Sequence, residues 1–151
     1  MASPKILVLC AALAGCASVD QPAEVRPGPN GETVHYYPQL PYGRVTYAHR
    51  FGADGQLIAV EQRLTEANTA KIVRGQSTMK EVRDLLGPPW RPERYALMER
   101  ETWTYPMLIE GDPNPKWFLV QFSTTDGLVR ETYMMNDPQF MQPDSPGGRR
   151  P

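Results

Sequence analysis

The side chains able to do chemistry are few. The 151-residue chain holds two cysteines and two histidines. Cys10 lies inside an apolar run, whereas Cys16 directly follows the small residues Ala14 and Gly15, where a processing enzyme could reach its thiol. His35 and His49 both fall inside strand patterns with no free thiol beside them, and a zinc or haem site needs more ligands than that, so no metal and no cofactor are expected. Glu99 and Glu101 flank Arg100 at strand spacing, which suits a solvated edge better than a pair of catalytic carboxylates. Ser77 precedes a helix pattern and does not sit in a nucleophile elbow, and neither a phosphate loop nor a dinucleotide fingerprint occurs. No catalytic residue is assigned, and the chain reads as a non-enzyme.

The thiol that remains is the one the N-terminus is built around. Lys5 supplies a positive charge, Ile6 to Leu13 an apolar stretch, and Ala14-Gly15 a small-residue processing site, which is the order of a signal peptide over residues 1–15. The stretch is about half of the roughly 20 residues that span a bilayer as a helix. Leu13-Ala14-Gly15-Cys16 resembles the lipobox of bacterial lipoproteins. That resemblance implies that the Cys16 thiol takes a diacylglyceryl group, that cleavage precedes Cys16, and that the new amine is acylated. Several acyl chains anchor firmly where a single chain is marginal. Ala17 and Ser18 differ from the Asp that retains such proteins in the inner membrane of enteric bacteria, so the resemblance implies the outer membrane, facing the periplasm.

Removing 15 of 151 residues leaves 136, enough for one domain with a core. With Cys10 removed and Cys16 lipidated, no disulfide is expected despite an oxidising compartment. A net charge of −1 without like-charge runs argues against nucleic acid and against a polybasic membrane patch. Most of the 16 prolines cluster before residue 45, around 88–92 and after 137, where they mark linkers and turns.

Residues 16–33 therefore read as the lipidated cysteine and a tether. Strand patterns follow at 35–37, 45–51 and 57–64, with Asp54-Gly55 as a hairpin turn, so residues 34–64 are expected to form a β-meander. Thr65 can cap a helix that runs to Arg74 and stops at Gly75. Thr78-Met79-Lys80-Glu81 has capping-box spacing, and Met79, Val82, Leu85 and Leu86 then share one helical face before Gly87-Pro88-Pro89. Strands are expected again at 102–105, 116–122 and 128–134, with Asp126-Gly127 at the second turn. Residues 136–151 lack periodicity and read as a disordered tail.

The two meanders resemble each other. His35-Tyr36-Tyr37-Pro38-Gln39-Leu40 aligns with Trp103-Thr104-Tyr105-Pro106-Met107-Leu108, and the hairpins carrying Asp54-Gly55 and Asp126-Gly127 follow in step. In this alignment only Gln21-Pro22 corresponds to the Pro88-Pro89 helix exit, so the first copy is a degenerate repeat without helices. The expected fold class is α+β: a helical hairpin on an antiparallel three-stranded meander over residues 65–135, preceded by that extra meander.

The run from Ile72 through Gly75-Gln76-Ser77-Thr78 to Gly87-Pro88-Pro89, followed by Trp103-Thr104-Tyr105, Val120-Gln121-Phe122 and Asp126-Gly127, resembles the SmpA/OmlA (BamE-like) family of outer-membrane lipoproteins across about residues 66–134. The resemblance implies two helices on a three-stranded antiparallel sheet and an accessory role in β-barrel assembly. The N-terminal meander and the loop over residues 106–115 depart from the family pattern, so no partner-binding residue is carried over.

These features together predict a non-catalytic, lipid-anchored outer-membrane scaffold that binds envelope proteins and supports barrel assembly or envelope integrity. The alternative is a periplasmic inhibitor or ligand-binding module that uses a sheet face. Most aromatics sit at alternating positions that suit a sheet core. Trp90, in Pro88-Pro89-Trp90-Arg91-Pro92, is the exception and the candidate partner contact, because the prolines limit the loop's freedom before binding.

Overall fold

The computed structural model describes residues 21–140. Two four-stranded antiparallel sheets, each in simple sequence order, account for most of the regular secondary structure among the described residues. The first contains β1 (Glu24–Pro27), β2 (Thr33–Pro38), β3 (Thr46–Phe51) and β4 (Leu57–Gln62). The second contains β5 (Arg91–Tyr95), β6 (Arg100–Met107), β7 (Lys116–Ser123) and β8 (Val129–Asn136). Between them lie only α1 (Glu66–Thr69) and α2 (Met79–Leu86).

The architecture corrects the expected fold class. The molecule is mostly β, and neither a helical hairpin nor a three-stranded meander forms. Thr65 caps α1 as its position suggests, accepting from the Asn68 N–H, but the helix ends after one turn. Its continuation is drawn into the second sheet: the Gly75 N–H donates to the Val129 carbonyl at 2.7 Å, and the Val129 N–H donates to the Ser77 carbonyl at 2.9 Å. Backbone groups committed to β8 cannot also close helical turns.

Two edge strands are the other departure. β1 falls within the stretch read as tether, and β5 within the loop after the helix exit. Both carry a proline, Pro27 and Pro92, and neither has the alternation that reveals a strand in isolation. An edge strand tolerates proline because one side of its ladder is unpaired, and its pairing is imposed by its neighbour. Residues 136–140, read as the start of a disordered tail, are ordered: β8 runs through Asn136, Asp137 is buried, and Pro138–Phe140 form a 3-10 turn, while residues 141–151 lie outside the described residues.

The capping box at α2 is complete: the Thr78 hydroxyl accepts from the Glu81 N–H at 3.2 Å, and the Glu81 carboxylate accepts from the Thr78 N–H at 2.7 Å. Val82 and Leu86 are fully buried, whereas Met79 and Leu85 are partly buried beside them. These side chains meet Leu64 and the inner residues of the second sheet, Trp103, Tyr105, Phe118, Val120, Phe122 and Val129. Burying such side chains contributes about 1.5–3 kcal/mol each.

The sheets coincide strand for strand. Tyr37 opposes Tyr47 as Tyr105 opposes Phe118, and His35 opposes His49 as Trp103 opposes Val120. A β-bulge interrupts each third strand at the same place, between Arg50 and Phe51 and between Gln121 and Phe122. The turns agree too, with Asp54 Oδ1 accepting from the Gln56 N–H and Asp126 Oδ1 from the Leu128 N–H. Burial, however, is inverted. The first sheet buries the alternate set, Val34, Tyr36, Thr46 and Ala48, and leaves the counterparts of the second sheet's core partly exposed, whereas the second sheet buries Thr102, Thr104 and Leu119 of its other face in addition to that core.

The inversion follows from the position of α2, which touches both sheets. The Tyr36 hydroxyl donates to the Asp84 carbonyl at 2.8 Å, and the Tyr105 hydroxyl donates to the Gly87 carbonyl at 3.1 Å. Arg83 reaches from the helix to Glu24 on β1 at 2.7 Å, while Arg26 pairs with Asp84. One helix thus serves opposite faces of two similar sheets.

Candidate functional site

Cys16 lies outside the described residues. Among the described residues, no helix is long and apolar enough to cross a membrane.

The other chemically capable side chains occupy structural positions. His35 and His49 face one another across β2 and β3, but each ring stacks on an aromatic neighbour, His35 on Phe51 at 4.6 Å and His49 on Tyr37 at 4.5 Å. Among the described residues no group of three or more His, Cys, Asp or Glu is placed to hold a metal ion. The Ser77 hydroxyl accepts from the Val73 N–H at 2.9 Å, which fixes a turn. Glu101 accepts from the Trp103 indole N–H at 2.7 Å, and Glu99 terminates a 3-10 turn with a left-handed backbone.

A cleft of about 710 Å³ opens between the first sheet and the start of α2, lined in part by Tyr36, Arg50, Glu61, Arg63, Lys80 and Asp84. Its charges answer one another. Arg50 pairs with Glu32 and Glu61, Arg63 with Glu61, and Lys80 with Asp84. Burial would raise the Asp84 pKa, but the hydrogen bonds from Lys80 and Arg26 outweigh it and hold the carboxyl below the usual aspartate range. Through Arg26 on β1, which pairs with Asp84, this network joins the sheet to the helix.

Trp90 stands elsewhere. Gly87-Pro88-Pro89 ends the helix and delivers Trp90 to the edge of the second sheet, where its N–H donates to the Thr104 carbonyl at 3.1 Å. The equivalent bond in the first sheet runs from the Ala23 N–H to the Tyr36 carbonyl at 2.9 Å, so the position belongs to the repeat while the indole is particular to the second copy. The Trp90 ring meets Trp117 nearly edge-on, with centroids 5.5 Å apart, and the Arg91 guanidinium lies over the Trp90 ring at 4.8 Å. This edge-to-face geometry suits the ring quadrupoles and restrains both indoles.

In comparisons with known proteins, no family model matches this chain, and neither a curated protein nor a solved structure matches it.

Strand alternation puts Trp117 on the side of β7 away from the core, together with Leu119 and, on β8, Tyr133 and Met135. Tyr133 and Met135 are 39% and 38% exposed. Thr102 and Thr104 form the floor between these larger groups, and the Thr102 hydroxyl is buried without a hydrogen-bond partner among the described residues. The same face carries Arg91 and Glu93 on β5 and Glu131 on β8, so charged groups flank the aromatic and apolar side chains. Trp117 reads from sequence with the other strand aromatics as sheet core rather than recognition surface, and Tyr133 and Met135 do not stand out, because alternation in β7 and β8 defines two faces without saying which one meets the core.

Proposed function

We propose that the protein is a lipid-anchored scaffold of the outer membrane that binds an envelope protein through the Trp90 and Trp117 surface, in support of β-barrel assembly or envelope integrity. Two sequence features support the reading: the lipobox ending at Cys16 and the SmpA/OmlA resemblance around Gly75 to Pro89. The observation that carries protein binding is the restrained Trp90–Trp117 pair, on a sheet face where Tyr133 and Met135 are 39% and 38% exposed. Rigid, amphipathic aromatics lose little freedom on association and dominate interface energetics. The two-helix, three-stranded family fold is not carried over, because this chain folds as two four-stranded sheets.

The test places a photoreactive amino acid at Tyr133 in the full chain in living cells. A barrel-assembly component should crosslink, and Trp90→Ala should abolish the adduct without changing protein level. Deletion should lower several barrel proteins and raise sensitivity to large antibiotics, and Cys16→Ser should block processing and rescue little. Capture of a peptidoglycan enzyme alone, with barrel levels unchanged, would replace this reading with the inhibitor or ligand-binding one.

A further inference from the structure

The first sheet is inside out. Its face toward α2 carries Glu24, Arg26, Arg50 and Glu61 among the buried Val34, Tyr36 and Ala48, and these charges are neutralised in ion pairs. Its opposite face, by alternation, presents Val25, His35, Tyr37, Tyr47, His49 and Phe51 and continues onto β4. Leu57 and Val60 there are 53% and 52% exposed. An antiparallel sheet with one wet side normally turns its polar residues to water, and a contiguous apolar patch marks a surface meant to be covered.

The second sheet shows what covers it. Matching registers and bulges make His35, Tyr37, Tyr47, His49, Phe51 and Leu57 the counterparts of Trp103, Tyr105, Phe118, Val120, Phe122 and Val129. All six counterparts are buried, in one cluster with Val82 and Leu86 of α2, and Val129 is 0% exposed where Leu57 lies open. Bulges at equivalent points impose similar bends, so the two faces share curvature as well as pattern.

From this correspondence we infer that the outer face of the first sheet is a docking site for an amphipathic helix of a partner protein. The helix has at least two turns, and its apolar residues follow the spacing of Met79, Val82, Leu85 and Leu86. The chain's own α2 cannot serve, since it is held between the sheets through Tyr36, Glu24 and Tyr105. Counting back from β1 as α2 stands before β5 reaches residues 12–19, which lie outside the described residues. The assignment of the helix to another protein rests on the lipoprotein reading, in which cleavage before Cys16 removes half of that segment.

The experiment titrates a hydrocarbon-stapled peptide of residues 76–88, which carries the α2 stripe, into the isotope-labelled mature protein in detergent. Mass spectrometry of the same sample reads its N-terminus, so failure of the lipoprotein reading is seen separately as a start other than lipidated Cys16. Backbone signals of β2, β3 and β4 should shift, those of β8 should stay, and Leu57→Lys should weaken binding at least tenfold. Because Leu57 is exposed, that variant should keep the wild-type circular dichroism and melting temperature. Phe51→Asp should weaken binding similarly. Absence of shifts, shifts confined to the second sheet, or a concentration-dependent dimer that Leu57→Lys dissolves would each overturn the inference, the last by assigning the face to a second copy.

Discussion

The Arg44 guanidinium donates to the Asp137 carboxylate at 2.9 Å, and Asp137 is only 2% exposed. The pair joins the turn after β2 to the residue that follows β8, 93 positions away, and the Phe140 ring lies 4.5 Å from the guanidinium. Asp137→Ala leaves Arg44 buried without its counter-charge, and losing one partner of a buried pair costs about 3–5 kcal/mol. Urea denaturation should show that loss, while replacing Arg44 and Asp137 together by apolar residues should recover most of it. A change below 1 kcal/mol for the single variant would mean that the pair is hydrated in solution.

The two leucines at the end of α2 should behave differently. Leu86 is fully buried in the core between helix and second sheet, whereas Leu85 is only partly buried against it. Leu86→Ala should cost about 2–5 kcal/mol, and Leu85→Ala clearly less. Equal losses in chemical denaturation would contradict the burial difference.

Gly87 is the hinge point at which the helix meets the first sheet. Its backbone lies at φ 82°, ψ −169°, and a Cβ there would stand 2.8 Å from Thr46 Cγ2 and 2.9 Å from Tyr36 Cδ1. Gly87→Ala should therefore cost about 1–3 kcal/mol for the backbone alone, with steric overlap adding to it. Gly75→Ala is the control, since its φ of 73° is also positive but nothing lies near its Cβ position. If the two variants were equally stable, the close approach of Gly87 to the first sheet would be wrong.

Asp84 links stability to acid. Burial opposes its ionisation, but hydrogen bonds from Lys80 and Arg26 depress its folded pKa below the unfolded value of about 3.9. A depressed carboxyl contributes stability that is complete above its unfolded pKa and is lost as pH falls through the folded one. The urea midpoint should therefore fall below about pH 4, and Asp84→Asn should flatten that fall while lowering the midpoint at neutral pH. A wild-type-like acid profile in the variant would assign the loss to other carboxylates, such as Glu81 and Asp126, which are also depressed.

Local chemistry was enough to read α2 and both Asp-Gly hairpins, because the capping box and the positive φ of Gly55 and Gly127 are decided within a few residues. It was enough for the central strands as well, where aromatic and β-branched residues alternate. The recurrence of His35-Tyr36-Tyr37-Pro38 as Trp103-Thr104-Tyr105-Pro106 also anticipated that the two sheets would share a pairing pattern. Trp90 stands apart from the strand aromatics in sequence, whereas Trp117 reads with them as sheet core. Tertiary structure alone decided the rest. β1 and β5 exist because β2 and β6 offer them hydrogen bonds, and α1 stops because Val129 claims the backbone of Gly75 and Ser77. Most of all, alternation specifies two faces of a strand but is symmetric between them. Only the placement of α2 between the sheets determined that Tyr36 is buried while Tyr37 is not, and that the equivalents of the second sheet's core stand on the outside of the first.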